Sequence, residues 1–295
     1  MNEGIWYAVG AYATWGFLPV YWKWLRHVPA PQLLSHRILW SFLCLFAVVM
    51  MTGRLNGFRK AIAVPRILHK YFLAAVLIGV NWLTYVWAVN AGFIVETSLG
   101  YFINPLLSVL MGVIFLRERL RAWQWVPVGL AALGIAYLTV SYGSLPWIAL
   151  TLAFTWALYG LVKKTAPLGS LDGLTVETGI LLVPVLIYLI YCDRSGQGAF
   201  LHSGSLSDAL LVGAGLTTAV PLFLFASAVR RIPLTQVGIL QYIAPTLQFL
   251  LGVLLYKEPF TTAQFVGFGL VWSALIVFGV ESFVTHRAQP VTTAE

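Results

Sequence analysis

Residues 96–105 read Glu-Thr-Ser-Leu-Gly-Tyr-Phe-Ile-Asn-Pro, and they lead into the apolar run 106–116. A carboxylate, a phenol, an amide and a proline therefore lie in a segment that is otherwise apolar enough to cross a bilayer. Pro105 removes one backbone donor and frees the carbonyl of Tyr101, four residues earlier. Residues 238–245, Gly-Ile-Leu-Gln-Tyr-Ile-Ala-Pro, repeat the pattern later in the chain. The sequence therefore predicts two interrupted helices, one in each half.

The composition of the chain excludes a soluble globular protein. Hydrophobic residues make up 60% of the chain and charged residues 9%, whereas soluble domains carry about 25% charged residues. Windows of roughly 20 mostly apolar residues can each cross a hydrocarbon core of about 30 Å. We therefore predict an all-α integral membrane protein with ten transmembrane helices, near residues 4–25, 32–52, 71–91, 96–116, 122–141, 144–164, 171–192, 206–229, 235–256 and 261–284.

The net charge of +8 is explained by where the basic residues lie. When both termini are placed in the cytoplasm, the internal loops receive most of the Lys and Arg residues, for example in segments 53–70 and 117–121. An excess of Lys and Arg in short cytoplasmic loops sets the orientation of membrane proteins. The charge therefore predicts cytoplasmic termini, and it does not indicate a nucleic-acid partner.

An internal repeat relates the two halves of the chain. At a shift of 140 residues, identical residues pair as Ile103 with Ile243, Pro105 with Pro245, Gly112 with Gly252 and Glu118 with Glu258. At a shift of 141, Trp15 pairs with Trp156. Because each half contains five spans, an odd number, the halves insert with opposite orientation. We predict two inverted five-helix repeats, 1–142 and 143–284, with a disordered cytoplasmic tail, 285–295; such repeats permit alternating access around a midplane site.

Polar and aromatic side chains at membrane depth are the candidates for substrate binding. Asn81 and Tyr85 lie four residues apart and share one helix face, which forms either hydrogen bonds between helices or part of a cavity lining. Trp15 lies at mid-depth and faces either a cavity or packed neighbours. Aromatic rings with a few amides suit a ligand that is part ring and part polar group. The candidate substrate-binding residues are Trp15, Asn81, Tyr85, Tyr101, Asn104, Trp156, Tyr159, Gln241, Tyr242 and Gln248.

Ionisable residues in the spans are the candidates for proton coupling. Glu96, beside the interruption in span four, is the first candidate, and Glu177 is the second. Glu177 has an equal alternative as an interfacial carboxylate paired with Lys163 or Lys164. Arg37 either extends to the external interface or faces a wet cavity. No Asp or Glu lies at mid-depth of a span, so facilitated diffusion stays open as the alternative to coupling.

The repeated pair Glu118 and Glu258 is predicted to be structural. Residues 261–264, Thr-Thr-Ala-Gln, have the form of a capping box at the start of the next span. A carboxylate close to such a start satisfies the free N–H groups of the first helical turn. We therefore expect each glutamate to cap or pair at the start of the helix that follows it.

The spacing of reactive residues argues against an enzyme or a metal site. The five histidines lie in loops or near the ends of spans, and no companion ligand stands at metal-binding spacing. An intramembrane enzyme needs a nucleophile and a base, or metal ligands, at matching depth. We therefore predict no enzymatic activity, no metal and no cofactor.

Several motifs resemble those of the RarD, or chloramphenicol-sensitive, permeases. They are Ser35-His36-Arg37, Asn81-Trp82, segment 98–105, Gly143-Ser144-Leu145-Pro146, segment 159–164 and segment 241–246. These permeases belong to the EamA, or drug/metabolite transporter, superfamily, and the resemblance covers essentially the whole chain. It implies a duplicated ten-helix permease of the bacterial inner membrane, whose central cavity is formed mainly by spans one, three, four, six, eight and nine. It does not imply a substrate.

The repeat, the candidate residues and the resemblance together predict a secondary transporter. The predicted cargo is a small amphipathic or aromatic metabolite or drug, exported across the inner membrane by alternating access. The other expected partners are the lipid bilayer and, if transport is coupled, protons. A non-transporting membrane interaction subunit is the main alternative, followed by an intramembrane enzyme. The expected assembly is a monomer or a homodimer.

Overall fold

A computed structural model describes residues 3–91, 93–142, 146–255 and 257, with individual positions between 262 and 280. The described part is a bundle of α-helices. The helices are α1 (Glu3–Trp24), α2 (Ala30–Met51), α3 (Leu55–Ile62), α4 (Pro65–Asn90), α5 (Ile94–Phe115), α6 (Trp125–Tyr142), α7 (Trp147–Thr165), α8 (Ser170–Arg194), α9 (Ser205–Arg231), α10 (Leu234–Leu240) and α11 (Ile243–Leu250). A 3₁₀ turn, Ala122–Gln124, precedes α6, and a π-helical turn, Leu251–Leu255, follows α11.

These helices lie at the positions of the first nine predicted spans. The ninth span is formed by α10 and α11 together, and α3 is a short additional helix in the loop before α4. The described helices that are long and apolar enough to cross a bilayer are Ala30–Met51, Pro65–Ala88, Ser170–Arg194, Ser205–Arg231 and Leu234–Leu255. The tenth predicted span, 261–284, and the tail, 285–295, lie largely outside the described residues.

The two predicted helix interruptions differ in the structure. α10 ends at Leu240 and α11 begins at Ile243, so the second pattern does break its helix. α5, in contrast, continues through Pro105 without an interruption. The prediction of a break in span four is therefore wrong, although the prediction for span nine is confirmed.

Side-chain hydroxyls bind backbone carbonyls of α5 close to Pro105. The Tyr242 hydroxyl donates to the Phe102 carbonyl at 3.3 Å, and the Ser108 hydroxyl donates to the Asn104 carbonyl at 2.9 Å. A proline removes the hydrogen bond to the carbonyl four residues earlier, which here is that of Tyr101. Neither hydroxyl binds that carbonyl, but the Tyr242 hydroxyl joins α5 beside the proline to the second half of the chain.

Helices of the first half pack mainly against helices of the second. α1 lies against α9 and α11, while α7 lies against α4 and α5. α2 contacts both α8 and α9, and α5 crosses α10. The main core cluster draws most of its buried side chains from α1, α4, α7, α9 and α10, with single residues from α2, α5, α8 and α11. Large apolar side chains that remain exposed on the outside, such as Leu83, Ile187 and Leu216, suit a surface that faces lipid.

Glycines allow two of these helix crossings to be very close. A Cβ atom added at Gly215 would lie 2.4 Å from the Cβ of Trp40, so α9 meets α2 through its backbone. A Cβ atom added at Gly238 would lie 2.7 Å from the carbonyl oxygen of Pro105. Small residues permit this kind of approach between helices in membranes. The crossing of α10 and α5 therefore lies at the proline of the opening motif.

Glu118 caps a helix in the opposite half of the chain. Its carboxylate accepts hydrogen bonds from the backbone N–H groups of Leu234 at 2.7 Å and Thr235 at 2.9 Å, the first residues of α10. Such a carboxylate also interacts favourably with the positive end of the helix dipole. The predicted structural role is confirmed, but the expected helix was wrong, because Glu118 caps α10 and not the helix that follows it in sequence.

Candidate functional site

Five aromatic side chains meet near the middle of the bundle, and we call them the aromatic cluster. They are Tyr12 and Trp15 of α1, Trp156 and Tyr159 of α7, and Phe225 of α9. The Trp156 ring centroid lies 5.3 Å from that of Trp15 and 5.1 Å from that of Phe225. Each ring lies more than one turn from either end of its helix. Three of the predicted site residues, Trp15, Trp156 and Tyr159, are therefore brought together away from the helix ends.

Buried polar atoms without a partner lie in the aromatic cluster and on α5. Among the described residues, the Tyr12 hydroxyl, the Trp156 indole N–H and the Asn104 side-chain oxygen are buried and make no hydrogen bond. Most buried polar groups in proteins are hydrogen-bonded, and each exception calls for an explanation. A bound molecule that supplied an acceptor and a donor would satisfy these atoms.

Asn81 forms hydrogen bonds between helices. Its side-chain N–H₂ group donates to the carbonyl of Leu152 at 2.8 Å and to the hydroxyl of Thr155 at 2.9 Å, which joins α4 to α7. The side chain is 8% exposed. Of the two alternatives for this residue, the structure shows the hydrogen bonds between helices.

Arg37 points into the bundle and not towards the lipid. Its Nε donates to the hydroxyl of Thr218 on α9 at 3.0 Å. The guanidinium carbon lies 4.7 Å from the ring centroid of Trp22 and 5.3 Å from that of Trp82, distances at which a cation is attracted to an aromatic face. The charge is therefore held among α1, α4 and α9.

Tyr85 and Tyr101 form a second contact between predicted site residues. Their rings meet edge to face with centroids 5.8 Å apart, which joins α4 to α5. Both phenol groups lie within electrostatic range of the Arg37 guanidinium. The two tyrosines thus extend the polar surroundings of Arg37 towards α5.

The three predicted residues of span nine occupy different places. Gln248 donates from its side-chain nitrogen to the carbonyl of Trp15 at 3.1 Å and so supports the backbone beneath the aromatic cluster. Gln241 is buried at the break, with its side-chain oxygen 3.5 Å from the hydroxyl of Ser108. Tyr242 lies in a separate apolar cluster beside α6, so it is not brought together with Trp15 and Trp156.

Glu177 lies in a buried ion pair. One carboxylate oxygen accepts from Lys163 at 2.8 Å, and the other accepts from the Tyr159 hydroxyl at 2.9 Å. The side chains of Lys163 and Glu177 are 3% and 1% exposed. Lys164 instead donates to carbonyls at the end of α9, so the paired alternative for Glu177 is realised with Lys163. The side chain of Glu96 lies outside the described part of the structure.

Sequence reasoning missed three residues that the structure brings to this region. Tyr12 lies three positions before Trp15 on the same helical face, and that spacing was a usable signal. Phe225 and Thr218 gave no local signal, because their importance comes from contacts with other helices. Phe225 stands at the position equivalent to Tyr85 at a shift of 140, so a closer comparison of the repeats would have found it.

Comparisons with known proteins place the chain among bacterial membrane transporters. The EamA-like transporter family matches residues 2–140 and 145–280. Protein RarD of Streptomyces exfoliatus is 43% identical over 286 residues, which cover 97% of this chain and 91% of that protein. The uncharacterized transporter YojE of Bacillus subtilis (strain 168) is 44% identical over 290 residues, and Protein RarD of Escherichia coli (strain K12) is 40% identical over 286 residues; each match covers 97% of both chains.

A solved structure shares the fold. It is described as "Crystal structure of protein" and superposes with a TM-score of 0.68 over 93% of this chain and 96% of its own. Its sequence is 17% identical, so this likeness concerns the fold alone. Within the described residues, no group of three or more His, Cys, Asp and Glu side chains is arranged to hold a metal ion.

Proposed function

This chain belongs to the EamA-like transporter family, and from that premise we propose that it exports a small amphipathic or aromatic metabolite or drug by alternating access. Its relatives are named as transporters and as RarD proteins, so the chain is a multi-pass membrane transporter and not an enzyme. The substrate, the direction and the transport cycle are the proposed part.

The observation that carries the proposal is the aromatic cluster with its unpartnered polar atoms. A cavity lined by aromatic faces and a few polar groups is typical of sites for small molecules. Tyr12 and Trp156 each present an apolar ring and an unused polar atom. A ligand with one ring and a few polar groups would stack on these faces and satisfy the buried donor.

The pattern of helix contacts supports a pair of inverted repeats and therefore alternating access. At the sequence shifts of 140 and 141 residues that relate the halves, α1 corresponds to α7, α4 to α9, and α5 to α10 and α11. The contact of α1 with α9 then corresponds to that of α7 with α4, and the contact of α1 with α11 corresponds to that of α7 with α5. This correspondence of contacts is expected when two repeats are related by a pseudo-twofold axis. Transporters built from inverted repeats alternate their access around a site between the repeats.

The ion pair near the aromatic cluster supports Glu177 as a coupling residue. Protonation of its carboxylate would remove the attraction to Lys163. The Tyr159 hydroxyl also donates to this carboxylate, and the Tyr159 ring stacks on Phe225 with centroids 6.1 Å apart. A proton bound at Glu177 would thus change the contacts of side chains that line the proposed site. Glu96 stays a second proposed coupling residue on the strength of its place in span four.

A flux assay tests the proposed function. The full chain is reconstituted in proteoliposomes, and uptake or release is measured over a panel of amino acids, aromatic metabolites and drugs. We expect at least one aromatic or amphipathic member to move faster than in empty liposomes. Absence of flux for every member, in liposomes that contain folded protein, would contradict the proposal.

Two tryptophan variants of α7 locate the site within the same assay. Trp156→Ala removes a ring from the centre of the aromatic cluster and is expected to lower flux by about tenfold, because an aromatic contact contributes roughly 0.5–1.5 kcal/mol beyond its buried area and about 1.4 kcal/mol corresponds to a factor of ten. Trp147→Ala is the matched control, since this ring is 52% exposed at the helix end. Equal flux in the two variants would place the site elsewhere.

A further inference from the structure

Arg37 brings a positive charge into the bundle, and its surroundings indicate what it binds. Its hydrogen bond to Thr218 is made by Nε alone. Arginine has five N–H donors in a planar fork, and the donors on the two terminal nitrogens find no acceptor among the described residues. These terminal nitrogens are not among the buried unpartnered atoms of the described residues, so they are open to water or to a bound molecule.

No carboxylate of the described residues compensates this charge. The ion pairs in that part of the chain are Arg54 with Asp172, Lys163 with Glu177, and Arg231 with Glu3. Around Arg37 lie two tryptophan faces, the Thr218 hydroxyl and, within electrostatic range, the phenol groups of Tyr85 and Tyr101, all of them neutral. A charged side chain inside a membrane bundle is costly, and where it is retained it marks a functional pathway.

Two other cations inside the bundle, Lys163 and Lys164, have protein partners that compensate their charge. Lys163 contacts the carboxylate of Glu177 at 2.8 Å. Lys164 donates to the carbonyls of Val229 and Ile232. Both charges are compensated by the protein itself, so the lack of an anionic or carbonyl partner is particular to Arg37 within this set.

The packing of α2 on α9 fixes where the guanidinium lies. The backbones meet at Gly215, and the Ser41 hydroxyl donates to the Gly215 carbonyl at 2.9 Å. Arg37 lies one turn before Ser41, and Thr218 lies about one turn after Gly215. The rigid crossing therefore presents the guanidinium at a set position on the wall of the bundle.

Arg37 is connected to the aromatic cluster on two sides. Trp82, which lies beneath the guanidinium, also packs against the core cluster that contains Trp156 and Phe225. Thr218 and Phe225 are seven residues apart on α9 and share a face, which separates them by about 10 Å at about 1.5 Å per residue. The hydrogen-bond partner of Arg37 and one ring of the aromatic cluster thus lie on the same face of α9.

We propose that the transported molecule is an aromatic carboxylate, whose carboxylate is bound by Arg37 and whose ring stacks in the aromatic cluster. This inference rests on the proposed function, because it assigns a substrate class to the same site. The terminal nitrogens of a guanidinium match a carboxylate in a two-bond geometry. A neutral molecule would leave the cation desolvated without compensation, which is unfavourable.

Binding of two matched probes tests the substrate class directly. We measure the affinity of the purified full chain in detergent for 3-phenylpropionate and for its uncharged amide, 3-phenylpropanamide. A charge-assisted pair predicts that the acid binds about 10- to 100-fold more tightly than the amide. Equal affinity for the two probes in the unmodified protein overturns the proposal.

Variants assign the preference to Arg37. Arg37→Gln is expected to abolish the preference for the acid over the amide. Arg26→Gln is the matched control, because Arg26 is exposed near the same end of the bundle, and it is expected to keep the preference. If Arg37→Gln does not fold, Arg37→Lys keeps the charge but not the fork, and it is expected to weaken acid binding selectively. An undiminished preference in folded Arg37→Gln, or in Arg37→Lys when that variant replaces it, contradicts the proposal.

The flux panel separates this inference from the proposed function. Flux of neutral or cationic members only, with no aromatic carboxylate moved, overturns the substrate class and leaves the transporter assignment intact. If the acid binds in an Arg37-dependent way but no flux is seen, the proposed binding site is supported and transport of aromatic carboxylates is refuted.

Discussion

Two asparagines near the centre of the bundle have opposite hydrogen-bonding situations. The Asn81 amide donates to two groups of α7, whereas the Asn104 side-chain oxygen is buried without a partner. An amide that joins helices contributes to stability, and an amide that lacks a partner is available to a ligand. The same residue type therefore has a structural role in α4 and a proposed recognition role in α5.

Asn104→Ala is expected to change which members of the flux panel are transported while expression and thermal stability stay near those of the unmodified protein. Asn81→Ala is the matched comparison, and it is expected to lower stability by roughly 0.6–2 kcal/mol because hydrogen bonds between helices are lost. Thermal unfolding in detergent and the flux panel measure the two effects. A large loss of stability in Asn104→Ala would show that this amide is structural.

The pair of Lys163 and Glu177 allows a second prediction at this scale. Glu177→Gln leaves a buried cation without its counter-charge and is expected to lower stability by about 3–5 kcal/mol, as for other buried pairs with one partner removed. The double variant Lys163→Met with Glu177→Leu removes both charges and should regain much of that stability. Thermal unfolding of the unmodified protein, Glu177→Gln and the double variant measures these differences in stability. A double variant less stable than Glu177→Gln would contradict the prediction.

At the scale of the helices, the crossing of α2 and α9 depends on the absence of a side chain at Gly215. Gly215→Ala is expected to destabilise the protein by about 1–3 kcal/mol, because the added Cβ atom would lie 2.4 Å from Trp40 Cβ. It should also weaken binding of 3-phenylpropionate, since the same crossing positions Arg37. Thermal unfolding and the binding assay measure both effects.

Gly129→Ala is the control for that substitution. Gly129 also lies within a helix, but no heavy atom stands within 4 Å of a Cβ added there. The stability of the Gly129→Ala variant is expected to be unchanged or slightly raised, because alanine favours a helix more than glycine does. Equal destabilisation of the two variants would show that close packing at Gly215 is not the cause.

The helices were predictable from the sequence because a bilayer imposes their length and apolar character. The features that were not predictable join residues far apart in the chain. α5 continues through Pro105 with a hydroxyl from Tyr242, and Glu118 caps a helix that begins at Leu234. Local sequence contains the donor and the acceptor, but it does not contain their pairing.

The candidate site was predictable in part for the same reason. Trp15, Trp156 and Tyr159 were found from their aromatic character at mid-span, and the structure brings them together. Phe225 is an ordinary apolar residue by sequence, and only the packing of α9 gives it a place in the aromatic cluster.

At the scale of the whole molecule, the charged contacts of the described residues are concentrated at one end of the bundle. The three ion pairs all lie where α1 and α8 begin and where α7 and α9 end. The excess of Lys and Arg in the loops predicts that this end faces the cytoplasm. The expected orientation therefore places the ion pairs inside the cell and Arg37 towards the outside.

Cysteine labelling in intact cells tests this orientation. In a background with Cys44 and Cys192 replaced by serine, Ser203→Cys is expected to react with a membrane-impermeant maleimide from outside. Thr52→Cys, which is equally an exposed loop position, should react only after the cells are permeabilised. The reverse pattern would mean that the termini are external.

The cap that Glu118 places on α10 also has a consequence for the order in which the protein is assembled. The carboxylate and the amide of Leu234 are 116 residues apart. At about 5–20 residues per second, ribosomal synthesis separates them by roughly 6 to 23 s. During that interval the carboxylate has no access to this partner, which has not yet been made. The junction between the halves is therefore completed late, after most of the chain has left the ribosome.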